Sequence, residues 1–267
     1  MKSAFRKLLP PQVYASLGRA YDSLQRLPEL PGAYLHPWRR ASIQHLNAYK
    51  DIHLGERCFI IGNGPSLNQL DLGKLHSEFT FGMNRIYLMF PTLGFSTSYF
   101  VSINDLVIRQ CAGEIQDLVM PKFLAWRSHP HLQPDANTSF LYTSYTGPRF
   151  SRDVSGRVWE GATVTYVALQ LAFHMGFQQV ILIGVDHNYS STGNPNQTVI
   201  SQGDDPNHFA PQYFGKGFHW QLPDLETSEL AYRMALEAYQ RAGRQVLDAT
   251  RAGKLTVFPK VDYDSLF

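Results

Sequence analysis

The sequence predicts an α/β fold: a Rossmann-like, mostly parallel sheet with helices on both faces, plus an N-terminal helical arm and a long lid-like loop. Three observations predict it. Short apolar runs such as Cys58-Phe59-Ile60-Ile61 and Val180-Ile181-Leu182-Ile183 read as buried strands. Stretches with apolar residues at helical spacing alternate with them, which is the pattern of strand–helix–strand units. A glycine-rich turn, Gly62-Asn63-Gly64-Pro65-Ser66-Leu67, follows the first strand directly.

The arm spans residues 1–50 and reads as helix, turn, helix. Val13, Leu17, Tyr21 and Leu24 recur at helical spacing, and Pro28, Pro31 and Pro37 interrupt the pattern. Lys2, Arg6, Lys7, Arg19, Arg26, Arg39 and Arg40 concentrate basic charge there. A solvated helix face packed on the main domain is the simpler account, and contact with an anionic membrane or a partner is the alternative. Residues 51–267 read as a separate, Rossmann-like main domain.

Within that domain Ser66 to about Leu75 reads as a helix, Phe79–Gly82 and Tyr99–Ile103 as strands, and Leu106 to about Leu118 as a helix. Lys122–Trp126 reads as a strand and His129–Arg157 as a loop, broken by Pro130, Pro134, Gly147, Pro148 and Gly156. A strong helix runs from Gly161 to His174 and stops at Gly176. The strand at Val180–Val185 ends in Asp186-His187-Asn188-Tyr189. Ser190 to Asp224 is long, polar and broken by Gly and Pro, which marks it as a functional lid. A helix from Glu226 to Arg241 and strands at Gln245–Asp248 and Leu255–Val257 complete the chain.

Composition bounds the function. The chain has 267 residues, 44% of them hydrophobic and 17% charged, as in a globular protein. A net charge of +2 implies no nucleic-acid partner. Cys58 and Cys111 form neither a disulfide framework nor a metal spacing, and they suit a reducing compartment. No apolar stretch approaches the ~18 residues of a membrane span, and no signal peptide is expected. The expected location is the cytoplasm, including the inner face of the membrane.

In an open parallel sheet, ligands bind beyond the carboxyl ends of the strands. That rule gathers Gly62–Ser66, Asn84, Asn104, Gly161–Thr163 and Asp186–Tyr189 along one edge. The turn after the first strand is suited to an anion. Gly62 and Gly64 allow positive φ and close backbone approach, Pro65 fits a first helical turn, and Ser66 can cap it or bind the anion. A helix N-terminus supplies partial positive charge. The turn lacks the lysine of the ATP-type phosphate loop and the third glycine of the dinucleotide motif.

Several strings together resemble a known family. They are Cys58–Leu67, Met83-Asn84-Arg85, Glu160-Gly161-Ala162-Thr163-Val164, Ile183–His187, Asn207-His208-Phe209 and Tyr213–Gly217. They resemble the domain-of-unknown-function-115 family, which is related to 6-hydroxymethylpterin diphosphokinase and includes motility-associated flagellin glycosyltransferases. More distantly, they are similar to bacterial sialyltransferases of glycosyltransferase family 42. The resemblance implies that Asn63, Gly64 and Ser66 hold phosphate and ribose. Asn84 would bind the nucleotide or donor, Gly161, Ala162 and Thr163 would meet cytidine or phosphate, and Asp186 would anchor a ribose hydroxyl or a metal. It further implies Tyr189 and Tyr213 on the leaving phosphate, and His219 as general base with His208 as rival.

The chemistry of such a transfer needs a base for the acceptor hydroxyl, donors for the leaving phosphate and exclusion of water. Ser190–Asp224 offers His208, Tyr213, Lys216, His219 and Trp220, and Lys216 can neutralise phosphate charge. The expected activity is transfer of a nonulosonic sugar from a CMP-activated donor to a glycan or lipid-linked acceptor in surface-polysaccharide biosynthesis. The alternatives are an ATP- and Mg²⁺-dependent pterin-type diphosphokinase and a non-catalytic nucleotide- or glycan-binding protein. No cofactor is required by the first reading. Mg²⁺ through Asp186 belongs to the second, and homo-oligomers are compatible with all three.

Overall fold

The structure, a computed structural model, describes residues 20–21, 23–190 and 193–267. The helical spacing expected at Val13 and Leu17, and the basic residues Lys2, Arg6, Lys7 and Arg19, lie outside the described residues.

Ten strands are described: β1 (Arg57–Ile61), β2 (Phe79–Met83), β3 (Tyr99–Ser102), β4 (Lys122–Ala125), β5 (Thr138–Ser144), β6 (Arg157–Trp159), β7 (Gln179–Ile183), β8 (Thr198–Ile200), β9 (His219–Gln221) and β10 (Gln245–Asp248). Eight build one sheet in the order β10-β7-β1-β2-β3-β4-β5-β6. Every pairing in it is parallel. β1 lies between β2 and β7, with Phe59 opposite Thr80 on one side and Ile181 on the other. A strand covered on both faces must be apolar throughout, which is why Cys58, Phe59, Ile60 and Ile61 are all fully buried.

The α-helices with full bounds among the described residues are α1 (Leu30–Leu35), α2 (Pro37–Ala48), α3 (Phe90–Leu93), α4 (Asp105–Gln110), α5 (Ala112–Gln116), α6 (Val164–His174) and α7 (Leu225–Arg241). Side chains cap the starts of the main ones: Asn104 accepts from Leu106 N–H and Val107 N–H, Thr163 from Thr165 N–H, and Asp224 from Thr227 N–H. α2 lies against β5, where Ser42 Oγ accepts the Phe140 N–H at 2.9 Å and Trp38 stacks over the Phe140 ring. His174 at the end of α6 bonds the Leu46 carbonyl at 2.8 Å, tying α2 to the central helix. Residues 30–48 are thereby packed into the sheet domain rather than held apart from it.

Four expectations are corrected. The helix expected from Ser66 to Leu75 is two 3₁₀ turns, Pro65–Gln69 and Leu72–Leu75, because Leu70 is extended and Asp71 caps the second turn through Gly73 N–H. The helix expected from Leu106 to Leu118 breaks at Cys111, which is buried beside Tyr87. The loop expected over His129–Arg157 contains β5 and runs into the start of β6. Every residue of β5 is buried, yet its sequence Thr-Ser-Phe-Leu-Tyr-Thr-Ser is too polar to read as a core strand. The strand expected at Leu255–Val257 is absent, and a single bridge pairs Asp248 with Lys260 instead.

The chain steps outward from β1 through β2 to β6, then returns to place β7 on the other side of β1. Winding therefore reverses between β1 and β7. The crevice above such a reversal is where open α/β sheets bind ligands.

Candidate functional site

Two adjoining chambers open above the carboxyl ends of the strands. The smaller, about 120 Å³, is walled by the turns after β1, β2 and β7 and the first turn of α6. The larger, about 560 Å³, extends over β3 and β5 toward Asn104, Tyr145, Glu160 and Trp220. Asn84, Ala162, Thr163, Tyr189, His208 and Asp224 line both and mark their junction. The larger volume is within the range of small-molecule sites.

The glycines of the β1 turn are required by close approach. Neither Gly62 nor Gly64 has a positive φ, which corrects the reason expected for them. A Cβ on Gly62 would lie 2.1 Å from the Gly184 carbonyl oxygen, and one on Gly64 would lie 1.7 Å from Asp186 Oδ2. The amides of this turn also have internal partners. Gly62 N–H donates to Ile183 O at 2.7 Å and Gly64 N–H to Gly184 O at 2.9 Å. Ser66 donates to Asp186 twice, from its hydroxyl at 2.7 Å and its N–H at 3.2 Å. The anion at this turn is thus the Asp186 carboxylate. Burial pushes that carboxyl above its ordinary range, although the two Ser66 bonds pull it back. Pro65 and Ser66 stand behind the wall, while Asn63 reaches it. Asn63 donates to Met83 O at 3.1 Å, and its Oδ1 is buried with no hydrogen-bond partner among the described residues.

Asn84, just beyond β2, adopts a left-handed conformation with φ 52°. Asparagine tolerates that region better than most residues. Its Oδ1 accepts from Ser102 Oγ at 3.0 Å, which leaves the side-chain N–H group for a ligand. Gly161 and Ala162 also have positive φ, both 57°, and turn the chain so that α6 begins at the cavity wall. Gly161 itself packs behind that wall, where a Cβ would lie 2.4 Å from the Ala231 Cβ. Ala162, Thr163, Val164 and Thr165 face the smaller chamber and bring the positive end of the helix to it.

The lid supplies His208. Its Nδ1 lies 2.7 Å from Asp205 Oδ2, and a carboxylate can only accept, so Nδ1 carries a proton and Nε2 is the acceptor of the neutral ring. The ring stacks on Tyr213 with centroids 4.0 Å apart and planes 6° apart. Phe209 N–H donates to Asn63 O, and Asn68 donates to Phe209 O, so this part of the lid is fastened to the β1 turn.

Of the other expected residues, Tyr213, His219 and Lys216 are not on the walls. Tyr213 is fully buried beneath His208, and its hydroxyl accepts from the Arg85 N–H. His219 is exposed on the β8–β9 hairpin, with its backbone paired to Gln110. Lys216 is exposed and lines neither chamber. Asn104 lines the larger chamber and donates to Gln221.

Sequence reasoning missed Asp205 as the partner of His208, although the spacing of three between them was visible. It also missed Glu160, buried on the larger chamber and 2.5 Å from Arg127, whose guanidinium lies 4.4 Å over the Tyr145 ring. No Lys or Arg is among the described residues lining either chamber, whereas Asp186, Glu160 and Asp224 are. No group of three or more metal-ligating side chains is formed among the described residues.

Over residues 35–192 the chain matches the family described as 6-hydroxymethylpterin diphosphokinase MptE-like. Among solved structures it is similar to the MAf glycosyltransferase from Magnetospirillum magneticum AMB-1, with a TM-score of 0.51 and 16% identity. The likeness covers 97% of this chain and 43% of that one, so the chain spans less than half of that protein's length. No curated protein matches. The family match takes in the walls from Gly62 to Tyr189 and ends before the segment that carries His208.

Proposed function

The chain belongs to the 6-hydroxymethylpterin diphosphokinase MptE-like family, and on that premise we propose that it is a glycosyltransferase taking a sugar from a CMP-type donor. The observation that carries this reading is the Asp205–His208 pair at the junction of the two chambers. A base that must reach an acceptor hydroxyl beside the donor belongs at such a junction. In this reading the nucleotide monophosphate sits in the smaller chamber and the acceptor glycan, free or lipid-linked, in the larger. His208 Nε2 takes the acceptor proton as the acceptor oxygen bonds to the anomeric carbon. The bond from that carbon to the phosphate oxygen breaks, and CMP leaves. The start of α6 and the Asn84 amide stabilise the charge that develops on the phosphate. Tyr189 is placed to assist, and Asp186 acts through the β1 turn it holds together.

The charge of the walls supports a donor with a single phosphate diester. A triphosphate would enter a smaller chamber lined by the carboxylates of Asp186 and Asp224 and by no Lys or Arg among the described residues. The family's description supports a second reading, a diphosphokinase. Asp186, Glu160 and Asp224 are the carboxylates that Mg²⁺ would then have to use. We place the reaction in the cytoplasm, in keeping with two buried free cysteines, Cys58 and Cys111. No helix among the described residues is long and apolar enough to cross a membrane.

A thermal-shift panel of CMP, CDP, UDP, GDP and ATP, each with and without Mg²⁺, tests the reading. A ligand that binds only the folded protein raises its melting temperature by mass action. Stabilisation by CMP without metal is expected. Stabilisation by ATP–Mg²⁺ and not by CMP would overturn the glycosyltransferase reading in favour of the kinase.

A further inference from the structure

A third cavity, about 570 Å³, lies at the other margin of the sheet, between the segment leading into α1 and the β5–β6 edge. Its walls carry Arg26, Arg149 and Arg157, with Tyr142, Ser155 and one carboxylate, Asp153. None of the three arginines forms an ion pair among the described residues. Arg157 is spent partly on structure, donating to Ser144 Oγ at 3.0 Å and Thr146 O at 2.9 Å. Arg26 donates to Thr146 Oγ1 at 2.7 Å, so two guanidinium groups converge on one short turn. Burial and the charges of Arg26 and Arg149 together lower the Arg157 pKa from its ordinary value. Like charges held this close are a standing cost to the fold.

A fourth arginine adds an independent observation. Arg39, on α2, is fully buried and donates from Nη2 to the carbonyl of Ser155, a residue of the cavity wall, at 2.7 Å. Its Nε and Nη1 are buried with no hydrogen-bond partner among the described residues. Burial lowers its pKa to about 10. Unpaired buried charges are rare because they cost several kcal/mol, on the order of the desolvation of one ion. The nearby carboxylates are otherwise engaged. Asp153 accepts from Ser155 N–H and Oγ and lies 3.8 Å from His174, and Glu29 accepts from the Tyr142 hydroxyl.

We propose that this cavity binds a phosphate or diphosphate group, borne by a free ligand or by a lipid headgroup. Arg26, Arg149 and Arg157 supply the forked N–H donors that match phosphate oxygens. Arg39 supplies positive potential from behind the wall. Tyr145, which lines the larger catalytic chamber, immediately precedes the Thr146 that Arg26 and Arg157 hold. An anion seated here is therefore fastened to the same turn that shapes that chamber. The proposal stands on the arginine cluster and does not require the transferase reading.

The test titrates the full chain with inorganic pyrophosphate and, separately, sediments it with vesicles of phosphatidylglycerol or of phosphatidylcholine alone. Three variants accompany it. Arg149→Gln replaces an exposed residue whose side chain makes no hydrogen bond among the described residues, and Arg26→Gln/Arg149→Gln removes two charges. Asn84→Asp marks the smaller chamber, where it removes the amide donor and adds a negative charge while keeping the oxygen that accepts from Ser102. Saturable pyrophosphate binding, weakened at least tenfold in the double variant and unchanged in Asn84→Asp, supports a free-ligand site. Co-sedimentation with phosphatidylglycerol only, lost in the double variant, supports a headgroup site. Pyrophosphate binding that survives in the double variant overturns the proposal, as does binding to neither pyrophosphate nor anionic vesicles. The nucleotide panel can fail without touching these outcomes, because it reads the other cavity.

Discussion

Replacing Gly62 by alanine tests how tightly the β1 and β7 turns are joined. The added Cβ would sit 2.1 Å from the Gly184 carbonyl oxygen, 2.5 Å from its carbon and 3.0 Å from Val185 N. All three are backbone atoms of a buried strand end, so none can swing away as a side chain would. To reach ordinary contact the two turns must part by about 1.5 Å, judged against the usual 3.5–4.0 Å separation of carbon pairs. That movement lengthens the bonds from Gly62 N–H to Ile183 O and from Gly64 N–H to Gly184 O, now 2.7 and 2.9 Å. Overpacking costs about 1–3 kcal/mol, and each weakened hydrogen bond up to about 1 kcal/mol. Reduced freedom of the unfolded chain returns about 0.4–1 kcal/mol. The expected net loss is about 2–4 kcal/mol, summing the same effects. Urea unfolding measures it as a lower midpoint at constant slope. Gly113→Ala is the control, because it lies in α5 with nothing within 4 Å of the added Cβ. It should gain roughly 0.5–1 kcal/mol from helix propensity. A Gly62→Ala protein within about 0.5 kcal/mol of the parent, the range of an unremarkable surface change, would refute the account of that turn.

Other expectations follow from the same contacts. His208→Gln should lower the proposed transfer about 10²–10⁴-fold, the usual contribution of a positioned base, while CMP still raises the melting temperature as in the parent. Asp205→Asn can donate to Nδ1 and reverse the tautomer, so kcat should fall with little change in nucleotide affinity, and steady-state kinetics with calorimetry separates the two. Lys122→Met should cost about 1–3 kcal/mol in urea unfolding, because the buried ammonium now donates to Gln116 O, Leu118 O and Asp135. Burial acts to raise the Asp135 pKa, but the bonds from Lys122 and Thr138 outweigh it and the net shift is downward. Its contribution is therefore present above the unfolded carboxyl value of about 3.9 and is lost as pH falls through the lower folded value. Asp135→Asn should flatten that acid limb of a melting-temperature profile, and an unchanged profile would reject the assignment.

How much was legible in the sequence depended on how local the cause was. β1 and β7 announce themselves because a strand buried on both faces must be apolar throughout. β5 is equally buried but carries Thr138, Ser139, Thr143 and Ser144, and the hydroxyls of Thr143 and Ser144 accept from the distant side chains of Arg127 and Arg157. Those partners cannot be read from spacing. The crowding that demands glycine at 62 and 64 comes from Gly184 and Asp186, more than a hundred residues away, so the residue type was visible and its reason was not. His208 was named as a rival base, but preferring it over His219 required knowing that Asp205 turns back onto its ring and that the hairpin carries His219 outward. The 3₁₀ turns after β1 were read as a helix because the competition from the Asp71 side chain is a matter of geometry rather than composition.

The two margins of the large sheet carry a consequence for the protein's behaviour at high concentration. An incoming strand from another chain would find a ladder of only three residues at β6. At β10 it would meet the bridge between Asp248 and Lys260, with the lysine ammonium drawn onto the aspartate carboxylate. Neither border offers a long row of vacant amides and carbonyls to copy. The long ladders are sealed inside the domain, which makes propagation of cross-molecular sheet structure from the native form unfavourable.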